Sequence, residues 1–227
     1  MAPAAAMLPL PWTPDRTEAM ADRIPSLSTR LLGERVLLRP PTEKDSLRLS
    51  RALEKNLAHL RPWSPSSPPG TNPAAPVELV RSIAYQRKQW RLGRTFAWLI
   101  LARANPQQLL GRITLSEIVR GSFQNAYVGY WTTRDQGRQG LATAALELVC
   151  DFAFRSANLH RVQAAVMPSN TASRRVLEKV GFRMEGVAER YLRINGHWED
   201  HLMYALTSEE RPTAHATPTA PESTPRG

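Results

Sequence analysis

The residues best placed to do chemistry lie between positions 136 and 143. Gln136-Gly137-Arg138-Gln139-Gly140 is a polar, glycine-bearing turn, and Leu141-Ala142-Thr143 opens a segment of helical period that runs to residue 157. A helix start presents backbone N–H groups with no intrahelical acceptor, together with the positive end of the helix dipole. That combination suits a phosphorylated cofactor. The glycines stop side chains from holding phosphates off the backbone. Ala142 and Thr143 keep the first turn slim, and Arg134 and Arg138 add positive charge. Taken alone, the same turn also serves as an ordinary strand-to-helix connection. Further along, Asn170 is a preferred N-cap residue at the head of a second helix that stops at Val180-Gly181-Phe182.

These residues need elements to position them. An apolar strand at 127–132 precedes the glycine turn, and a second strand at 161–167 follows the helix, so the two pair in parallel. Upstream, residues 35–39 form a short strand stopped by Pro40-Pro41, and Thr42 caps a helix running to about residue 60, with Leu47, Leu49, Leu53, Leu57 and Leu60 near helical spacing. Residues 62–76 are rich in Pro and Ser and form a loop; 77–91 form a second helix. Residues 95–102 and 109–119 are strands joined by an Asn105-Pro106 turn, and Asn195-Gly196 joins a hairpin of 185–194 and 197–206. The first 27 residues and those after 208 are rich in Pro, Thr and Ala and read as a flexible extension and a disordered tail around a domain at 28–208.

This ordered series, with its glycine loop and Asn170, resembles the GNAT superfamily of acyl-CoA N-acyltransferases. Asn56 to Trp63, the Val119-Arg120-Gly121-Ser122-Phe123 run, Glu185-Gly186, Tyr191, Asn195-Gly196, Trp198, Asp200 and His201 are similar to its RimJ/RimL branch, the ribosomal-protein-alanine N-acetyltransferases. The resemblance implies an α/β (α+β) GNAT fold: a mixed, mostly antiparallel sheet with a central parallel pair, flanked by about four helices. It implies acetyl-CoA as co-substrate. It assigns cofactor binding to Trp131, Thr132, Gln136, Gly137, Arg138, Gln139, Gly140, Leu141, Ala142, Thr143 and Asn170, and catalytic work to Ser173 and Tyr130. Gly137 stands where the family has Gln or Arg, and Arg138 where glycine is usual.

The same resemblance implies direct attack of an amine on the thioester. The protein then supplies a positioned thioester, a donor for the developing oxyanion and a route for protons. The oxyanion donor is expected to be a backbone N–H within 129–132, where the partner strand splays away, and Ser173 to protonate the leaving thiolate. Glu117, Glu185 and Glu189 are candidate bases, each equally an exposed charge, and Tyr191 a candidate for placing the acceptor. The His197, Glu199, Asp200 and His201 group alternates between strand faces and does not have metal-site spacing, so no metal is expected. His59 and His160, at element ends, read as structural. The single cysteine, Cys150, sits among apolar helix residues and reads as an inert buried thiol.

At 42% hydrophobic, the 227-residue chain can bury a core, yet no apolar run approaches the ~20 residues of a membrane-spanning helix. One cysteine excludes an intrachain disulfide and fits a cytoplasmic protein. A net charge of +10 favours polyanions, including ribosomal RNA. The reading is therefore acetylation of a primary amine, foremost the N-terminal α-amino group of a ribosomal protein, by a monomer or homodimer. Acetylation of a small amine such as an antibiotic or polyamine, and a catalytically weak acyl-CoA-binding ribosome-assembly factor, stand as alternatives.

Overall fold

The computed structural model describes residues 24–65, 70–137 and 139–211. Most of the Pro-rich start, the tail after 211 and Arg138 lie outside them. Eight strands form one sheet: β1 (Leu31–Leu32), β2 (Val36–Arg39), β3 (Phe96–Ala102), β4 (Leu109–Val119), β5 (Asn125–Thr132), β6 (Arg161–Val166), β7 (Arg183–Ile194) and β8 (His197–Thr207). Their spatial order is β1-β2-β3-β4-β5-β6-β8-β7, antiparallel throughout except for β5 beside β6. Four α-helices cover it: α1 (Ser46–Leu60), α2 (Pro76–Arg91), α3 (Leu141–Arg155) and α4 (Thr171–Val180). The mixed sheet with one parallel pair is the GNAT arrangement that the resemblance implies. The two-residue β1 and the insertion of β8 between β6 and β7 were not expected.

Strand alternation sorts the core into two layers. Phe96, Trp98 and Ile100 face α3, where they pack with Leu141, Ala145, Val149 and Phe152. Ala97, Leu99 and Leu101 point the other way, and Leu99 and Leu101 meet Leu49 of α1 and Leu79 and Ile83 of α2. Trp90, Phe96, Trp98 and Phe152 form an edge-to-face aromatic knot with ring centroids 4.8–5.1 Å apart along four of its contacts. Each such pair adds about 0.5–1.5 kcal/mol beyond burial. The knot lies under α3 and helps fix the direction in which that helix starts. Cys150 is fully buried there, and burial pushes its thiol up to about 12, so it carries no thiolate at neutral pH.

Boundaries moved by one to three residues for local reasons. Asn170 is the α4 N-cap, its Oδ1 accepting the Ser173 N–H at 3.1 Å, and Gly181 closes that helix in the left-handed region at φ 100°. Before α1 a 3-10 turn (Glu43–Asp45) intervenes, because the buried Asp45 carboxylate accepts from the Thr42 N–H and hydroxyl and from Arg39. The leucine stripe read along α1 is only half used. Leu49 and Leu53 pack inward, while Leu47 and Leu57 are exposed.

Candidate active site

β5 and β6 pair only at Asn125–Tyr127 with Arg161–Gln163; beyond Tyr127 they part. β6 goes on pairing with β8 as far as Val166, and β5 with β4 as far as Thr132. One edge of β5 is therefore left without a ladder. The Thr133 N–H donates to the Leu110 carbonyl on the β4 side, so by alternation the amides of Val128, Tyr130 and Thr132 point into the gap. That narrows the expected oxyanion donor within 129–132 to the N–H of Tyr130 or Thr132.

A cleft of about 970 Å³ runs through this gap. One end is built by the start of α3. Gly140 takes φ 73°, and the first intrahelical bond is Ala144 N–H to the Gly140 carbonyl. The amides of Leu141, Ala142 and Thr143 precede that bond and have no helical acceptor. The loop before them is pinned from outside. Asn56, on α1 and only 3% exposed, accepts the Arg134 N–H at 2.8 Å through Oδ1, and Arg35 donates to the Gln139 carbonyl at 2.5 Å. Nothing in the local sequence around 134–140 announced either anchor. Asn56 was legible only as part of a family-like run.

Gln136, Gly137, Gln139, Gly140, Leu141, Ala142, Thr143, Trp131, Thr132 and Asn170 all line the cleft, as do Tyr130 and Ser173. Arg138 lies outside the described residues. The Tyr130 hydroxyl is 3.0 Å from Ser173 Oγ and 3.2 Å from the Ser173 carbonyl oxygen, spanning from β5 to α4. Burial pushes the Tyr130 phenol up to about 12, so it keeps its proton at neutral pH. The pair can pass a proton only when Tyr130 donates to Ser173 Oγ and the serine hydroxyl points on into the cleft.

The structure adds lining residues that the sequence reading left out. Arg175 and Lys179, one turn apart on α4, put positive charge on the wall facing the α3 amides. Their spacing after the Asn170 cap was the available signal. His59, read as structural, lines the far mouth with Leu60 and Trp63. The hairpin tip is tied to that mouth by a bridge between Pro65 and Ile194 and by Asn195 Nδ2 donating to the Arg61 carbonyl at 3.0 Å. Trp198 is exposed and does not line the cleft. No described lining residue is acidic, so the cleft is chemically matched to an anion such as a diphosphate.

The acetyltransferase (GNAT) domain family matches residues 35–183. The probable N-acetyltransferase YjcK of Bacillus subtilis (strain 168) is 43% identical over 107 residues, a match that covers 47% of this chain and spans 59% of that relative's length. The ribosomal protein uS5-alanine N-acetyltransferase of Escherichia coli (strain K12) is 30% identical over 187 residues, covering 80% of this chain and 92% of the other. Among solved structures, Mycobacterium smegmatis RimJ in complex with CoA-disulfide superposes with a TM-score of 0.74 at 36% identity, covering 79% of this chain and 85% of that one.

Proposed function

Because the chain belongs to the GNAT acetyltransferase family and uses acetyl-CoA as its acetyl donor, we propose that it acetylates the N-terminal α-amino group of a protein, foremost a ribosomal protein. The observation that carries this reading is a cleft open through the sheet. Its anion-binding end lies at α3 and α4, and its far mouth at His59, Leu60 and Trp63 is wide of the phosphate cradle. The thioester arm of the donor and the acceptor amine can then meet from opposite faces. The likeness to a uS5-alanine acetyltransferase along most of both chains supports the choice of acceptor. The net charge of +10 suits work near ribosomal RNA.

In this proposal the amides of Leu141, Ala142 and Thr143 hold the diphosphate, with Gly137 and Gly140 giving the backbone clearance and Arg134, Arg175 and Lys179 adding charge. Arg138 belongs to the same loop. Asn170 holds the start of α4 beside the pantetheine arm, and Trp131 and Thr132 flank it. The Tyr130 or Thr132 N–H stabilises the oxyanion. Ser173, backed by Tyr130, gives the leaving sulfur its proton. An N-terminal amine, with an unperturbed pKa near ~7.7–8.0, needs only a modest base. A polyamine acceptor would call for carboxylates, and the described lining has none.

The test is direct: the protein with acetyl-CoA and a short peptide beginning with Ala should release CoA thiol and add one acetyl group to the peptide N-terminus. A protein that binds acetyl-CoA yet releases no CoA with any amine would be a binding protein instead. Ser173→Ala is expected to lower kcat about tenfold with acetyl-CoA affinity unchanged. The effect is modest because a thiol of pKa near ~8.5 leaves tolerably well without a proton. Unaltered kcat would reduce Ser173 to a helix residue.

A further inference from the structure

A second polar cluster lies on the β7–β8 hairpin, outside the residues that line the cleft. His201 on β8 is 4% exposed. Its Nδ1 lies 2.9 Å from the Glu199 carbonyl oxygen, which can only accept, so Nδ1 carries a proton, and in the neutral ring Nε2 then holds the lone pair. Among the described residues no hydrogen-bond partner meets Nε2. The ring meets Tyr191 edge-on, with centroids 5.6 Å apart.

Tyr191 is held there by an irregularity in the hairpin. Between the pairs Ala188–His201 and Leu192–Glu199, residues 189–191 of β7 face Asp200 alone on β8. Arg190 takes φ 48°, and its N–H donates to Asp200 Oδ1 at 2.7 Å. A non-glycine residue in that region costs on the order of 1–3 kcal/mol, so the surrounding bonds over-determine it.

The register places the imidazole. β6 pairs with β8 up to Val166–Leu202, and His201 is the next residue, where β5 has already parted from β6. Tyr204 and Leu206 face α3 and α4, so alternation turns His201 to the α1 and α2 face, with Tyr127 and Trp131. That is the face at which the far mouth opens. The glutamates fit the role less well. Arg161 and Arg183 grip Glu185, and the Arg161 bond holds its carboxyl below the usual range, while exposed Glu189 sits 3.7 Å from Arg190.

We propose that His201 is the general base for acetyl transfer, taking the acceptor amine's proton on Nε2, with Tyr191 as a positioning residue for its ring. The inference rests on the acetyl transfer described under Proposed function. The amine lone pair forms the N–C bond, and the C–S bond breaks with its electrons on sulfur. The amine proton passes through Nε2 to solvent, and the sulfur takes the Ser173 proton, which Ser173 regains from solvent in the cleft. Tyr191 on β7 faces the imidazole, Tyr127 on β5 and Glu117 on β4 act on Tyr191 in turn, and Glu199 and Asp200 precede His201 on its own strand. The Tyr191 phenol is pushed up to about 12, chiefly by the Tyr127 hydroxyl and by burial, so it stays neutral and does not compete as a base.

The experiment compares wild type with His201→Gln, using an Ala-initiated peptide and, separately, spermidine as acceptors. kcat/KM for the acceptor should fall about hundredfold, and the acetyl-CoA Kd by calorimetry should stay within about twofold. Tyr191→Phe, which keeps the ring contact, should cost only a few-fold. At a pH where the imidazole is neutral, 15N NMR of the free wild-type protein should place the His201 proton on Nδ1, and this readout decides the matter even if His201→Gln fails to fold. A His201→Gln rate within about threefold of wild type, or an Nε2–H tautomer, overturns the proposal. A wild type that acetylates spermidine but not the peptide fails the N-terminal acceptor reading alone, and His201 is then judged on spermidine. A wild type inert toward both overturns both.

Discussion

Gly140→Asp is expected to weaken acetyl-CoA binding by about 10²–10³-fold, read by calorimetry. Gly140 sits at φ 73°, a region that costs an L-residue about 1–2 kcal/mol. Among the described residues other than its chain neighbours, no atom lies within 4 Å of the position its Cβ would take. The damage comes from elsewhere. Relief of backbone strain would rotate the α3 amides away, and a carboxylate would sit at the head of the helix that is to hold a diphosphate. At an effective dielectric near 20, like charges about 4 Å apart repel by roughly 4 kcal/mol, reduced further by salt. Gly140→Ala separates the two effects, since it keeps the strain and drops the charge. An unchanged affinity in Gly140→Asp would remove the start of α3 as the cradle.

Gly111→Ala should destabilise the fold by about 2–4 kcal/mol and lower Tm by roughly 10 °C. Gly111 lies opposite Thr132 in the β4–β5 ladder. A Cβ there would stand 2.9 Å from Thr132 Cα and closer still to the Trp131 carbonyl oxygen. Both neighbours are backbone, so the strand itself must move. The strand that moves carries the Thr132 amide facing the gap, and kcat should fall along with stability. A variant melting within about 2 °C of wild type would show that β5 has slack at Thr132, and the amide geometry argued above would lose its rigidity.

Both glycines look alike in the chain, and only one was read for what it does. Gly140 sits in a polar turn before a helical pattern, a local signal. Gly111 sits between Leu110 and Arg112 in a strand, where an isolated glycine hints at close backbone approach but does not say to what. The same division runs through the site. Asn170 was legible because capping is settled within three residues, and its bond to the Ser173 amide is the local one expected. The Asn195-Gly196 turn was legible because both residues must take positive φ, and they do, at 48° and 88°. His59 was read as structural, and a histidine at a helix end carries no trace of the cleft it lines with a strand more than 70 residues away.

What the chain determined by itself was the run of strands and helices, the glycine turn ahead of α3 and the cap of α4, all of them encoded by periodicity and turn chemistry over a few residues. Tertiary structure alone decided three further things. β8 enters between β6 and β7, β5 and β6 separate after Tyr127, and Asn56 reaches across 78 residues to hold the loop at Arg134. Each depends on which distant surfaces bury one another. That choice is made by the summed packing of two core layers, and no short stretch of residues contains it.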